Sequence, residues 1–117
     1  MAELPRILLV EDDSRVAALI ADMLEEADYT VDGPYATLAD GMAALATRFP
    51  AGAVLDLALR GSDAGLLADD LDAYGIPYVF CSGAARHEVI GTHPHTPVLA
   101  KPDGIRHIVG TLDRLMR

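Results

Sequence analysis

Cysteine is almost absent from this chain. Cys81 stands alone among 117 residues, which excludes a disulfide framework. The opening MAELPRILLV has no positive stretch followed by an apolar core of signal length, so a reducing, cytoplasmic compartment is expected. Positive charge is also scarce: nine Lys and Arg stand against eighteen Asp and Glu, for a net charge of −9. Binding to nucleic-acid phosphates needs clustered cations, so nucleic acid is not an expected partner. No apolar run approaches the roughly 20 residues of a membrane span, and no low-complexity segment or internal repeat interrupts the chain. What is present is a composition that is 51% hydrophobic, enough for one three-layer domain and too short for a second.

Apolar runs of strand length alternate with stretches of helical period, five times over. Arg6 to Val10 reads as the first strand. Asp13 or Ser14 can cap the helix after it, with Val16, Leu19, Ile20, Met23, Leu24 and Ala27 on its inner face. A short second strand lies around Tyr29 to Asp32, and Gly33 and Pro34 read as a turn. Thr37 caps a second helix that places Leu38, Met42, Leu45 and Phe49 inward and closes at Pro50.

The third strand is Ala53 to Leu57, and GSDAG reads as a loop into a helix with Leu67, Leu71 and Tyr74 inward and Gly75 as its left-handed stop. Pro77 to Cys81 is the fourth and most β-prone strand. Ala84 to Ile90 suits two helical turns, and GTHPHTP after it has no periodicity and reads as loosely ordered. Val98 to Ala100 is the fifth strand, followed by a helix with Ile105, Ile108, Val109, Leu112, Leu115 and Met116 on one face. This alternation favours an α/β fold: a doubly wound, five-stranded parallel sheet of order 2-1-3-4-5 with helices on both faces, of flavodoxin type.

That topology carries the polar residues to one sheet edge. Glu11 and Asp12 follow the first strand, Asp56 ends the third, Ser82 follows the fourth and Lys101 the fifth. Neighbouring strands are about 5 Å apart, so Asp12 and Asp56 are placed to share a cation, and oxygen-only ligands select Mg²⁺ or Mn²⁺ over zinc. Three adjacent carboxylates at a strand end repel one another unless something positive sits among them. Asp13 fits helix capping or solvation better than ligation.

These residues match a family. VEDD at Val10 to Asp13, the acid in LDLALRGSDAG at Asp56, the hydroxyl in FCSG at Ser82 and KP at Lys101 and Pro102 resemble, in order and over the whole chain, the receiver domain of bacterial response regulators (CheY-like). The resemblance implies that residues 1–117 are one receiver domain with no attached output domain, taking a phosphoryl group from a histidine kinase or phosphotransfer protein onto Asp56. It further implies that Glu11, Asp12, Asp56 and the backbone carbonyl of Ala58 hold Mg²⁺ or Mn²⁺, that Ser82 bonds the phosphoryl group and that Lys101 pairs with it. PYVFCSGA, Pro77 to Ala84, is similar to the Pro-Phe-x-Phe-Ala-Thr-Gly block of single-domain FATGUY receivers, which implies a kinase of the HWE or HisKA-2 type. On this resemblance the chain is not an enzyme beyond its own phosphorylation and dephosphorylation, and it signals by binding another protein or acts as a phosphate sink.

The chain departs from the family pattern in places. Val98 stands where receivers often carry Tyr or Phe, so coupling of a hydroxyl to an aromatic rotamer is not available. Arg60 replaces a frequent proline, and Asp103 sets a negative charge near Lys101. Ala58 and Ala84 sit near positions that tune dephosphorylation in receivers and can neither block nor orient water; an intermediate lifetime of the phosphorylated state is expected. The expected output surface is the fifth strand, the last helix and the irregular segment before them, and an apolar patch there is compatible with a homodimer.

Other classes remain in view. A receiver-like scaffold that binds partners without phosphorylation would keep this fold. A phosphatase would need a second acid or base beside Asp56, which LDLAL does not supply. A flavin domain would need a Ser/Thr-rich phosphate loop where the acids stand. Cys81 reads as a small buried side chain. His93 and His95 read as loop residues without further ligands, and His87 and His107 have no assigned role.

Overall fold

Four consecutive buried residues, Ile7 to Val10, lie inside the sheet, because β1 (Arg6–Val10) pairs in parallel with a strand on each side. The computed structural model describes residues 3–83 and 88–117. β3 (Gly52–Asp56) and β6 (Tyr78–Ser82) are buried along their whole length, as strands covered on both faces must be. β2 (Thr30–Tyr35) and β7 (Val98–Ala100) are the edges, and the sheet order is β2-β1-β3-β6-β7. With a small hairpin of β4 (Ala58–Leu59) and β5 (Ser62–Asp63) set aside, this is the doubly wound order 2-1-3-4-5 expected from the sequence.

Alternation along the strands divides the core in two. Leu8, Val10, Leu55 and Phe80 face α2 (Leu38–Thr47) and α3 (Gly65–Ala73), where they meet Leu45, Leu67 and Leu71. Ile7, Leu9, Val54, Val79 and Cys81 point the other way, onto Ile20 and Leu24 of α1 (Ser14–Glu26) and Ile108 and Leu112 of α5 (Ile108–Leu115). Every strand therefore delivers its last residues to the same sheet edge, between the two helical layers.

Several local expectations need correction. Gly33 and Pro34 do not turn the chain. β2 continues through them, with a cis peptide between them and an irregular register against β1, in which Leu8 and Val10 pair with Asp32 and Tyr35. An edge strand tolerates proline because nothing beyond it needs the missing N–H. Gly33 has φ +125°, and a Cβ there would stand 2.6 Å from the Leu9 carbonyl oxygen, so only glycine fits.

Leu19 is exposed, because Ala17, Ile20 and Leu24 take the buried stripe of α1. Phe49 lies beyond the end of α2 and is exposed; it stacks with Tyr74, also exposed, at 4.4 Å between ring centroids. GSDAG is partly strand, since Ser62 and Asp63 pair with Leu59 and Ala58. Gly75 does close α3, at φ +69°. Asp103–His107 forms a 3₁₀ turn ahead of α5, so Ile105 reaches the core before the α-helix begins.

The helix expected over Ala84 to Ile90 is seen as α4 (Glu88–Thr92); Ala84 and His87 lie outside the described residues. The stretch after it is not loose at His93. That side chain is buried under α3 and packs edge-on to Phe80, with ring centroids 5.9 Å apart.

Candidate functional site

The turn after β1 is fixed by its own acids. Asp13 caps α1 through Oδ1, which accepts the N–H groups of Arg15 at 2.9 Å and Val16 at 3.3 Å. Its carboxylate is thereby committed to the helix, as expected. Glu11 is buried: its N–H donates to the Tyr35 carbonyl at 2.9 Å, and its Oε2 accepts the Asp13 N–H at 3.0 Å. Asp12, between them in sequence, is half-buried.

Across the β1–β3 ladder Asp56 ends its strand, 4% exposed, with Oδ1 accepting the Ala58 N–H at 3.3 Å. From the other side β7 delivers Lys101, whose N–H donates to the Ser82 carbonyl at 2.8 Å. The Lys101 ammonium lies 2.5 Å from Glu11 Oε1 and 3.1 Å from Asp56 Oδ2. Ser82 is buried beside them at the end of β6. One carboxylate oxygen from each of Glu11, Asp12 and Asp56 lies within 4.8 Å of the others. The five side chains singled out in the sequence are thus gathered at one edge. Lys101 pairs with Glu11 and Asp56 and not with Asp103, which is exposed.

The electrostatics are those of an acid cluster with too little positive charge. Burial, and then the Glu11 carboxyl beside it, push the Asp56 carboxyl up to about 7, with Lys101 opposing both. Burial works against the charge of Lys101, and its hydrogen bonds to Glu11 and Asp56 outweigh that, so its pKa is raised. Cys81, register partner of Asp56, is pushed up to about 12 by burial. Its thiol stays protonated and it behaves as core, not as a nucleophile.

Three carboxylates face one ammonium, an excess of two negative charges that a single divalent cation would neutralise. The donors are all hard oxygens, the set that favours Mg²⁺ or Mn²⁺. Octahedral ligation at about 2.0–2.1 Å places ligand oxygens roughly 3–4 Å apart, so the observed cluster needs only a small contraction. The residues fit the group.

His93 does lie in the loop after α4, but the expectation that it has no further partners is overturned. Its Nε2 is 2.8 Å from Asp69 Oδ1 and 3.7 Å from Asp72 Oδ2 on α3, and its Nδ1 is 2.9 Å from the Val89 carbonyl. The two acids are spaced by three residues and so share a helix face, but nothing in the local pattern announces a histidine returning from beyond β6 to meet them.

Comparison with known proteins follows this geometry. No protein-family model and no curated protein matches the chain. Among solved structures, SdrG from Sphingomonas melonis Fr1 is 34% identical, with 96% of this chain and 98% of that one covered and a TM-score of 0.80. A CheY-like response regulator receiver domain protein from Methanospirillum hungatei JF-1 is 25% identical, with 96% of each chain covered and a TM-score of 0.79. The signal receiver domain of a modulated diguanylate cyclase from Desulfovibrio desulfuricans G20, 24% identical over 97% of this chain and 94% of that one, shares the fold at a TM-score of 0.84.

Proposed function

The chain belongs to the receiver domains of response regulators, and from that premise we propose that it accepts a phosphoryl group on Asp56 from a phosphohistidine of a sensor kinase or phosphotransfer protein. The observation that carries this reading is the geometry of Asp56: a buried carboxylate at a strand end, 3.1 Å from the Lys101 ammonium and within 4.8 Å of the oxygens of Glu11 and Asp12.

An Asp56 carboxylate oxygen attacks phosphorus, a new O–P bond forms as the N–P bond to the donor imidazole breaks, and the leaving nitrogen takes up a proton. The product is an acyl phosphate on Asp56. The chain's own part is largely positioning. The Ala58 N–H bonds one oxygen of Asp56 and Lys101 the other, which sets the direction in which the carboxylate faces. Lys101 also offsets charge gathering on the transferring group.

Glu11, Asp12, Asp56 and the Ala58 carbonyl would hold Mg²⁺ or Mn²⁺, which supplies charge neutralisation for a doubly negative phosphoryl group next to three acids. The carboxylate of Asp56 becomes an acyl phosphate carrying about two negative charges, a net gain of about one, and Ser82, at the end of the neighbouring strand, would follow it by hydrogen bond. Because the Ser82 carbonyl is tied to the Lys101 backbone, a shift there passes to β7. The signal then leaves by protein contact, or the chain drains phosphate from its kinase; the Pro77 to Ala84 block suggests a donor of the HWE or HisKA-2 type.

Incubation with Mg²⁺ and acetyl phosphate, followed by intact-mass measurement, tests the proposal. One added phosphoryl group in the wild type, absent from Asp56→Asn and abolished by chelation, is the expected result. No gain in the wild type, with Mg²⁺ binding also absent, would sink it and leave the phosphorylation-independent scaffold.

A further inference from the structure

A second group of metal-ligating side chains lies beside the far end of β6, remote from Asp56. Asp69 and Asp72 project from α3, and His93, from just beyond α4, comes between them and the core. Its side chain is 4% exposed, whereas the two acids are largely open to solvent. The ring is immobilised by packing against Tyr78 and Phe80, with centroids 6.5 and 5.9 Å away.

The hydrogen bonds fix which nitrogen faces the acids. Nδ1 lies 2.9 Å from the Val89 carbonyl oxygen, which can only accept, so Nδ1 carries a hydrogen. The Thr92 hydroxyl, 2.9 Å from the same nitrogen, can accept from it while donating to the Val89 carbonyl at 3.1 Å. In the neutral ring this leaves the lone pair on Nε2, and that lone pair faces Asp69 Oδ1 at 2.8 Å and Asp72 Oδ2 at 3.7 Å. Lone pairs facing one another at 2.8 Å require a cation between them, either a proton, which makes the contact an ordinary hydrogen bond, or a metal ion. Histidine ligands of metals are arranged in this way, with the outer nitrogen bonded to a backbone carbonyl and the inner one bare.

A second, independent feature points to the same place. The Tyr78 hydroxyl is buried and makes no close hydrogen bond among the described residues. It interacts with the Thr96 and Asp72 side chains: burial pushes the phenol up to about 12, Thr96 opposes that rise and Asp72 adds to it. A loosely held donor next to a carboxylate oxygen is what an outer-sphere anchor of a ligating acid supplies.

We propose that Asp69, Asp72 and His93 form a second divalent-cation site, selective for Zn²⁺ or a similar transition ion over Mg²⁺. The imidazole nitrogen sets that preference, since the Asp56 cluster has only oxygens. Tetrahedral bonds of about 2.0–2.1 Å place ligand atoms roughly 3.3 Å apart, and the two observed N···O separations lie on either side of that value. The two exposed acids leave the outer coordination positions to water, so the ion exchanges with solvent. Bound there, it ties the end of α4 to α3.

Co²⁺ added to the intact chain in excess Mg²⁺ reads this site, because the visible bands of Co²⁺ report nitrogen and oxygen ligation directly. A band that saturates at one equivalent, survives Asp12→Asn and weakens tenfold or more in Asp69→Asn and in Asp72→Asn is expected. Both acids are exposed, so these variants keep the core; His93→Gln, checked for folding by circular dichroism, must lose the band. No saturable band, or one abolished by Asp12→Asn and untouched by Asp69→Asn and Asp72→Asn, overturns the proposal and leaves a proton on His93 as the cation that the acids hold. The readout does not depend on phosphorylation of Asp56, so either proposal can fail without the other.

Discussion

Lys101 is held to Ser82 by its backbone and to Asp56 by its ammonium: the Lys101 N–H donates to the Ser82 carbonyl at 2.8 Å, and Nζ lies 3.1 Å from Asp56 Oδ2. One residue just past the edge strand β7 therefore touches both Asp56 and the strand end next to it. Its side chain is 17% exposed, against 1% for Glu11 and 5% for Asp56, so the acids depend on it more than it depends on them.

Lys101→Met consequently acts in two directions. Without metal, two buried carboxylates lose their shared cation, and stability falls by about 2 kcal/mol, less than the full cost of orphaning a wholly buried charge because water reaches the cleft. Chemical denaturation in a chelating buffer measures this. Removal of a positive charge also tightens Mg²⁺ binding, by about threefold or more, while phosphorylation by acetyl phosphate slows. Weaker Mg²⁺ binding in the variant would contradict the arrangement.

The Asp56 carboxyl, raised to about 7 from 3.8 chiefly by burial, makes the metal-free protein sensitive to pH. The folded state holds this proton more tightly than the unfolded one, so its contribution to stability is complete below about 4 and is lost as pH rises through about 7. Melting temperatures in chelator should fall across that window, and Asp56→Asn should remove most of the slope. Mg²⁺ competes with the proton, so the rise in melting temperature on adding Mg²⁺ should be larger at pH 8 than at pH 5.5.

Much of this molecule is legible in its sequence, for a reason visible in particular residues. Strands buried on both faces, such as Gly52–Asp56 and Tyr78–Ser82, read as continuous apolar runs, and the parallel topology then carries Asp56, Ser82 and Lys101 to one edge without any knowledge of side-chain contacts. The failures lie where tertiary packing overrides local pattern. Gly33 and Pro34 look like a turn until an edge position makes them part of a strand. Phe49 and Tyr74 keep a helical spacing but fall at or beyond helix ends, so they meet each other instead of the core. His93 lies outside any periodic segment, and only the folded chain shows that Asp69 and Asp72, 24 and 21 positions earlier, are its partners.

Tyr29 ties the start of β2 to the last helix through a hydrogen bond from its hydroxyl to Asp113. Tyr29→Phe should cost about 1 kcal/mol, the net worth of one such bond, because Asp113 is only partly buried and recovers water as a partner. The phenol is raised to about 12, by burial first and by Asp113 next. Its stabilising contribution is therefore present below 10 and lost as pH approaches 12. An ultraviolet titration should show one tyrosine fewer ionising at the alkaline end in the variant.

Gly41 tests how closely α2 approaches the sheet beneath the acid cleft. A Cβ at this position would lie 2.8 Å from a methyl of Val10 and 3.2 Å from Leu67 Cδ2, and Val10 immediately precedes Glu11. Gly41→Ala gains about 1 kcal/mol of helix propensity, but crowding of a packed core costs about 1–3 kcal/mol. The clash should win, because Val10 is a branched side chain fully buried against Leu67 and Phe80 and has no open space to enter. A net loss of about 1 kcal/mol is expected in denaturant titration. Displacement of Val10 would be transmitted to Glu11, so Mg²⁺ affinity should fall in parallel. If the variant is more stable than the wild type with unchanged Mg²⁺ binding, α2 is not seated on β1 as closely as described, and the acids are not set by that contact.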